Sequence, residues 1–415
     1  MKFIADLHIH SKYARATSPN MNLENLDVWA HKKGIDVISA SDFTHPEWFK
    51  ELSEKLEESE QGLYKLKGST LPTRFILTTE VSCIYSKNDR VRRIHLLIFA
   101  PSLAVVAKIN AQLGIRGKLA SDGRPILGMD AKEVLKIALD ASPECMIVPA
   151  HAWTPWFSIF GSKSGFDTIE ECFDEYTKYI TAIETGLSSD PAMNWRLSAL
   201  DDINLISNSD SHSLAKIGRE ANIFDTEKTY KGISDVLKKK DNKKFLFTIE
   251  FFPEEGRYHY DGHRLCKLSF APAESKKLNN ICPTCKKPLV IGVLNRVGEL
   301  ADRKEGEKPE NAVPFKPLIP LQEIIAEAFS VGVSTKRTQE EYEKVVSSLK
   351  NEFYVLLNAT SGELKDVASP EVVEGIMRVR EGKVRIEPGY DGEYGKISIF
   401  NDGEQREDIT QKSLF

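Results

Sequence analysis

Along the first 250 residues, short apolar runs alternate with stretches in which apolar side chains recur every three or four positions. The runs predict strands over 2–9, 36–41, 74–81, 94–100, 145–150, 180–185 and 203–208. The helical periodicity between them predicts helices over 23–33, 46–60, 103–113, 130–139, 168–176 and 194–201. Asn22 before Glu24 and Asp130 before Ala131 are start signals, and Gly34 after His31-Lys32-Lys33 is a stop signal. Strand–helix alternation repeated in this way predicts an α/β fold, with parallel strands and crossover helices closing into a seven-stranded barrel. Residues 114–128, glycine-rich and carrying Arg116, Lys118 and Arg124, read as an exposed loop.

The pattern then changes. Residues 304–320 are rich in Pro, Lys and Glu and read as a linker, while 321–329 and 338–357 have the spacing of amphipathic helices. Residues 383–400 carry Gly389-Tyr390-Asp391-Gly392-Glu393-Tyr394-Gly395 between alternating apolar positions, which predicts a hairpin. The expected division is a barrel over 1–255, a small module over 256–303, a helical region with a terminal hairpin over 304–400, and a tail over 401–415.

Composition narrows the function. The chain has 415 residues, 41% hydrophobic, which is enough for two or three cores. Its apolar runs are too short to span a bilayer, and the N-terminus turns polar too early for a signal peptide, so a cytoplasmic protein with no membrane partner is expected. A net charge of −5 excludes a chain that coats nucleic acid through overall charge. Any DNA contact must use local patches, for which Arg90, Arg92, Arg93 and the lysines of 238–244 are candidates. Cys83, Cys145 and Cys172 sit singly in apolar surroundings and read as core residues. Cys266, Cys282 and Cys285 cluster, which in a reducing compartment points to metal.

Histidines and carboxylates collect at the strand ends. The first strand runs into Asp6-Leu7-His8-Ile9-His10, the second into Ser41-Asp42-Phe43-Thr44-His45. The third carries Glu80, the fourth His95, the fifth ends at His151, the sixth carries Glu184, and the seventh runs into Asp210-Ser211-His212. C-terminal strand ends of a β/α barrel converge on one face, so these residues would share a pocket. Imidazole and carboxylate together suit Zn, Mn or Fe, and so many ligands exceed what one ion uses; two or three divalent ions, Zn²⁺, Mg²⁺ or Mn²⁺, are expected there. Glu184 reads equally as a ligand or as a strand-end carboxylate. Separately, His263-x-x-Cys266 with Cys282-x-x-Cys285 has the spacing of a tetrahedral structural zinc site, with His259 as the competitor for the histidine place.

The strand-end set resembles the PHP (polymerase and histidinol phosphatase) phosphoesterases, which implies a distorted seven-stranded barrel with a multinuclear metal site. That resemblance implies a first metal on His8, His10, Glu80 and Asp210, and a second on Glu80, His95 and His151. His212 would belong to a third, with Asp42 or His45 as the remaining ligand. The zinc run, Gly292-Val293-Leu294-Asn295-Arg296, and Pro388-Gly389-Tyr390-Asp391-Gly392 are similar to the endonuclease Q family over essentially the whole chain. This implies a repair endonuclease that nicks DNA 5′ to hypoxanthine, uracil, xanthine or abasic sites and leaves 3′-hydroxyl and 5′-phosphate ends.

On that reading Asp210 and Glu80 position the catalytic metals, and His212 is metal-bound or protonates the departing oxygen. Trp153, Trp156 and Phe157 are candidates for stacking a flipped base, and Lys163, within Gly161–Gly165, is a candidate phosphate contact. The tail Gln411-Lys412-Ser413-Leu414-Phe415 resembles the start of a peptide that binds the sliding clamp PCNA, which would place the protein with the nucleoid. The rival reading is a PHP phosphatase acting on a small phosphate monoester.

Overall fold

The first helix starts because Asn22, in extended backbone, turns its side chain to accept the Asn25 N–H. It stops because Gly34, at φ 88°, closes the last turn onto the Ala30 and His31 carbonyls. Helix Leu23–Lys33 therefore occupies its expected span in the computed structural model, which describes residues 1–400. The clamp-binding candidate at 411–415 lies outside the described residues.

All seven expected strand regions contain extended chain, but the ladders are not one parallel cylinder. Lys2–Asp6 pairs in parallel with Val37–Ser39, and Val37–Ser39 with Arg74–Ile76. Ala182–Glu184 pairs in parallel with Asn204–Ile206. Arg90–Phe99, by contrast, is antiparallel both to Thr78–Lys87 and to Met146–Pro149. Lys2–Asp6 is flanked on its other side by antiparallel Ala221–Asp225, itself paired with Phe245–Glu250. The expected strand over 74–81 breaks at Leu77, and its two halves join different sheets. A continuous apolar run cannot register such a change of partner. One core cluster nevertheless draws on all three ladders, with Leu7, Val37, Ile76, Leu97, Val148 and Ile206 packed together. Ile9 bridges to Ser211, so the first and last strand ends meet where the motifs lie.

Three expected helices are corrected. The helix predicted over 46–60 ends at Lys55, and Leu56–Glu60 folds back against Leu63–Leu66 as a hairpin. The one over 194–201 is two short turns, Pro191–Asn194 and Ser198–Leu200. The one over 338–357 is interrupted at Asn351, whose side chain accepts the Tyr354 N–H and starts a new helix, Glu352–Leu357. Ser361–Val367 and Pro370–Arg380 follow, and the terminal hairpin pairs Arg385–Glu387 with Lys396–Ser398. This helical region is fastened to the first helix by a buried ion pair, Lys33 to Glu352 at 2.7 Å. Glu352 also accepts from the Tyr342 hydroxyl and the Leu321 N–H. No helix among the described residues is long and apolar enough to cross a membrane.

Candidate active site

His8 and His10, two residues apart on extended chain, turn to the same side. Each engages a carboxylate through Nδ1: His8 meets Glu184 Oε1 at 3.0 Å, and His10 meets Asp42 Oδ1 at 3.0 Å. Those bonds place the protons on Nδ1 and leave the Nε2 lone pairs facing inward. There His10 Nε2 lies 3.1 Å from Asp210 Oδ1 and 3.2 Å from Glu80 Oε2, with His8 Nε2 at 3.5 and 3.7 Å from the same atoms. His8 Nε2, His10 Nε2 and Asp210 Oδ1 are buried and make no hydrogen bond. Buried acceptors converging without a donor are costly, and a cation among them removes the cost. The donor set, two imidazoles and two carboxylates, fits a divalent ion.

Glu80 also faces a second group. Its Oε1 lies 2.7 Å from His95 Nδ1 and 3.1 Å from His151 Nε2. One carboxylate thus offers an oxygen to each cluster, the arrangement of a bridging ligand. Burial opposes charge throughout the site. Even so, Glu184 and Asp210 around His8, and Asp42 beside His10, favour positive charge there and raise both imidazoles, the same carboxylate field that would favour a cation held by their Nε2 atoms. Against its burial, Glu80 is held well below the carboxylate range by His95 and Arg124, and Asp210 by His8 and His10. Burial pushes His95 down to about 4. Asp42, His151 and Asp210 all adopt positive φ, at 40°, 30° and 45°. Such strained backbone in non-glycine residues collects at functional sites.

The remaining candidates divide. Asp42 is an orienting group here, its second oxygen accepting the Ser11 N–H at 2.6 Å. His45 stacks on Tyr13 at 4.4 Å, and neither His45 nor Asp42 joins a ligand cluster. Glu184 orients too, accepting from His8, the Asn208 amide and the His151 N–H. His212 lies beside the first cluster, its ring 4.5 Å from that of His10 and its Nδ1 2.9 Å from the Asp210 carbonyl. Sequence reasoning missed Arg124 as a site residue. Its guanidinium reaches Glu80 Oε2 at 2.9 Å from the loop that reads as exposed. Gly123 lets that loop in, because a side chain there would strike the Asp42 carboxylate. A long glycine-rich loop carrying arginines was the available signal.

A cavity of about 360 Å³ opens beside the metal-ligand groups, with His95, His151 and Asp210 along one side and Trp156, Phe157 and Tyr258 among its aromatic lining. Trp156 is 37% exposed and stands edge-on to Tyr258 at 5.7 Å. Trp153 is corrected to a core residue, 1% exposed and donating its indole N–H to Asn194. Lys163 has an exposed side chain, and its backbone N–H bonds the Pro155 carbonyl. Arg92 is corrected as well: its guanidinium lies 4.0 Å from the Phe166 ring centre and donates to the Gly165 carbonyl. The 238–244 lysines lie away from the site. Lys244 accepts the Asp225 N–H through its carbonyl, and Asp225 pairs with Lys2, at the opposite end of the first strand from His8.

The cysteine cluster assembles elsewhere. His263 ends the strand Asp261–His263, Cys266 ends the following turn, and Cys282 and Cys285 bracket a knuckle that Lys286, at φ 61°, follows directly. Their four ligand atoms lie within 4.8 Å of one another, with Cys285 Sγ 3.5 Å from His263 Nδ1. His263 therefore joins the cysteines, whereas His259 lines the groove. Three sulfurs and one imidazole fit a closed tetrahedral zinc site.

Residues 320–383 match the family described as the MJ0043 C-terminal domain. The protein MJ0043 of Methanocaldococcus jannaschii is 36% identical over 255 residues, 60% of this chain, and the match spans only 31% of that longer relative. YqxK of Bacillus subtilis is 29% identical over 416 residues, covering 95% of this chain and 99% of YqxK. Among solved structures, the lesion-specific endonuclease PfuEndoQ from Pyrococcus furiosus superposes with a TM-score of 0.85 at 30% identity, covering 96% of this chain and 95% of that one. An endonuclease Q in complex with a 27-mer duplex carrying an abasic lesion at the active site superposes with a TM-score of 0.84, again at 30% identity, covering 96% of each chain.

Proposed function

Because the chain belongs to the endonuclease Q family, we propose that it is a repair endonuclease that cuts DNA 5′ to a damaged nucleotide, leaving 3′-hydroxyl and 5′-phosphate ends. The chain is a metal-dependent hydrolase, and its substrates on this reading are strands bearing hypoxanthine, uracil, xanthine or an abasic site. The observation that carries the reading is the pair of ligand clusters sharing Glu80 beside an aromatic groove. We read the three ladders of 1–255 as one distorted seven-stranded PHP barrel, followed by a zinc module over 256–303 and a helical region over 304–400. Within that reading the sliding clamp PCNA is a further partner through the tail, and the protein works in the cytoplasm at the nucleoid.

Divalent ions, Zn²⁺, Mg²⁺ or Mn²⁺, would lower the pKa of a water towards neutrality and neutralise the phosphoryl oxygens. His8, His10 and Asp210 would hold one, His95 and His151 the other, and Glu80 both. Glu184 and Asp42 fix the imidazole tautomers that leave Nε2 of His8 and His10 free to ligate. Arg124 is placed to take a non-bridging phosphoryl oxygen, a charge-assisted contact that a guanidinium geometry suits. Nδ1 of His212 faces a carbonyl, so its proton sits there and Nε2 presents a lone pair. That favours metal binding or proton acceptance over donation to the departing oxygen. Trp156 and Phe157 offer a stacking surface to a base turned out of the helix, which deaminated pairs release at lower cost.

The test is strand nicking of 5′-labelled duplexes carrying one hypoxanthine, uracil or abasic site, beside an undamaged duplex and a phosphate monoester. A single cut 5′ to the lesion, abolished by EDTA and by Asp210→Ala, is expected. Hydrolysis of the monoester with every duplex left intact would overturn the reading in favour of a small-molecule phosphatase.

A further inference from the structure

The loop 388–395 carries an exposed tyrosine to the mouth of the groove. Tyr394 is 73% exposed, and its ring lies 4.8 Å from the guanidinium of Arg257, a residue of the groove wall. The loop that presents it is tightly fastened to the segment that walls the groove. Gly389 donates to the Glu254 carbonyl at 2.8 Å, Gly395 to that of Glu255 at 3.1 Å, and Gly392 to that of Arg257 at 2.9 Å. Arg257 returns a bond from Nε to the Gly392 carbonyl. A side chain at Gly389 or Gly395 would collide with the Gly256 and Glu254 carbonyls, so the two strands of chain touch directly. An aromatic ring held on so rigid a mount yet left in solvent is a preformed stacking surface, with little ordering cost on binding.

A nucleotide drawn from a duplex into the groove leaves a gap in the base stack, and DNA-bending proteins commonly fill such gaps with an inserted side chain. We propose that Tyr394, oriented by Arg257, enters the duplex at the step vacated by the damaged nucleotide and stacks on the bases that remain. The proposal rests on the groove being the lesion pocket. It gives the 388–395 loop a role in opening the helix and none in hydrolysis. Leu265, 81% exposed on the turn Arg264–Cys266, is the competing wedge.

The test compares the full chain with Tyr394→Ala, Tyr394→Phe and Leu265→Ala on two substrates with the same deoxyuridine. In one the lesion is paired in a duplex, in the other it lies in a five-nucleotide unpaired bubble. Base–aromatic stacking of ordinary strength predicts a loss of roughly 10- to 100-fold for Tyr394→Ala on the paired lesion. Cutting of the bubble is expected to be unchanged, and Tyr394→Phe to restore duplex cutting to near the wild-type rate. A 2-aminopurine beside the lesion, followed in EDTA, should change fluorescence on binding the wild type and not Tyr394→Ala. Equal losses on both substrates, no loss, or a duplex-only loss in Leu265→Ala instead would each overturn the proposal. Failure of the wild type to nick any lesion would instead strike the lesion-pocket reading on which it depends.

Discussion

The two metal-ligand regions are built on opposite plans. The first gathers ligands from positions 8 to 210, from strands and strand ends far apart in the sequence, around a carboxylate shared by two groups. The knuckle gathers His263, Cys266, Cys282 and Cys285 from one short segment, with no carboxylate among its four ligands. The first site has an arginine on its bridging ligand and a cavity against its wall, whereas the second brings together three sulfurs and one imidazole. A closed site with thiolate ligands stabilises the fold, and an open site with carboxylates leaves room for substrate. The contrast teaches that ligand type and shared ligands, more than histidine count, separate the two kinds of site.

Removing a shared ligand should produce the largest effect. Glu80→Ala disables both clusters and is expected to slow nicking on the order of 1000-fold, since metal stabilisation of the transition state is worth several kcal/mol. Single-turnover kinetics would show this, with thermal unfolding little changed. Cys282→Ala should behave in reverse. It is expected to release zinc and open residues 256–303 to protease, since structural zinc supplies folding energy to a segment with a small core. Protease mapping with metal analysis checks this, and loss of nicking with an intact knuckle would erase the contrast.

Orienting groups should rank below ligands. Glu184→Gln keeps the shape but loses the charge that fixes His8, and is expected to cost roughly 10- to 100-fold in metal affinity. Titration of Mn²⁺ against nicking rate would show a shifted midpoint with the saturated rate largely retained.

The smallest effect concerns a carboxylate outside both clusters. Burial pushes Glu250 up to about 8, and the nearby Asp190 charge adds to the shift. The folded state therefore holds a proton that the unfolded chain releases near its ordinary value of 4.5. Stability from this group is full below that value, falls as pH rises, and stops falling above about 8. Glu250→Gln should flatten the descent between pH 5 and 8, which paired melting curves would resolve.

How legible each region was in the sequence follows from what fixes it. The knuckle was legible because its ligands are close in sequence and its spacing reflects local geometry. The scattered ligands were legible because each stood out against an apolar run: His8, His10, His151 and Asp210 follow where runs stop, and Glu80 and His95 are polar positions within them. Asp42 could not be sorted from a direct ligand, because only the fold shows its oxygens engaged by His10 and Ser11. Trp153 and Trp156 share one loop and one residue type, and only packing separates the buried indole from the half-open one. Arg124 is brought to Glu80 by a loop whose path no periodicity records. The break at Leu77 and the helices after Thr360 were invisible for a similar reason, since sheet membership and short capped helices depend on distant partners.

The most direct test is to chelate the intact protein gently, count the zinc that remains, and measure nicking of a uracil-containing duplex before and after adding Mn²⁺. The account predicts that one zinc per chain stays, the fold persists, nicking disappears, and Mn²⁺ restores it. Undiminished nicking after the metals of the Glu80 site are gone, or recovery that requires zinc at the knuckle alone, would contradict it.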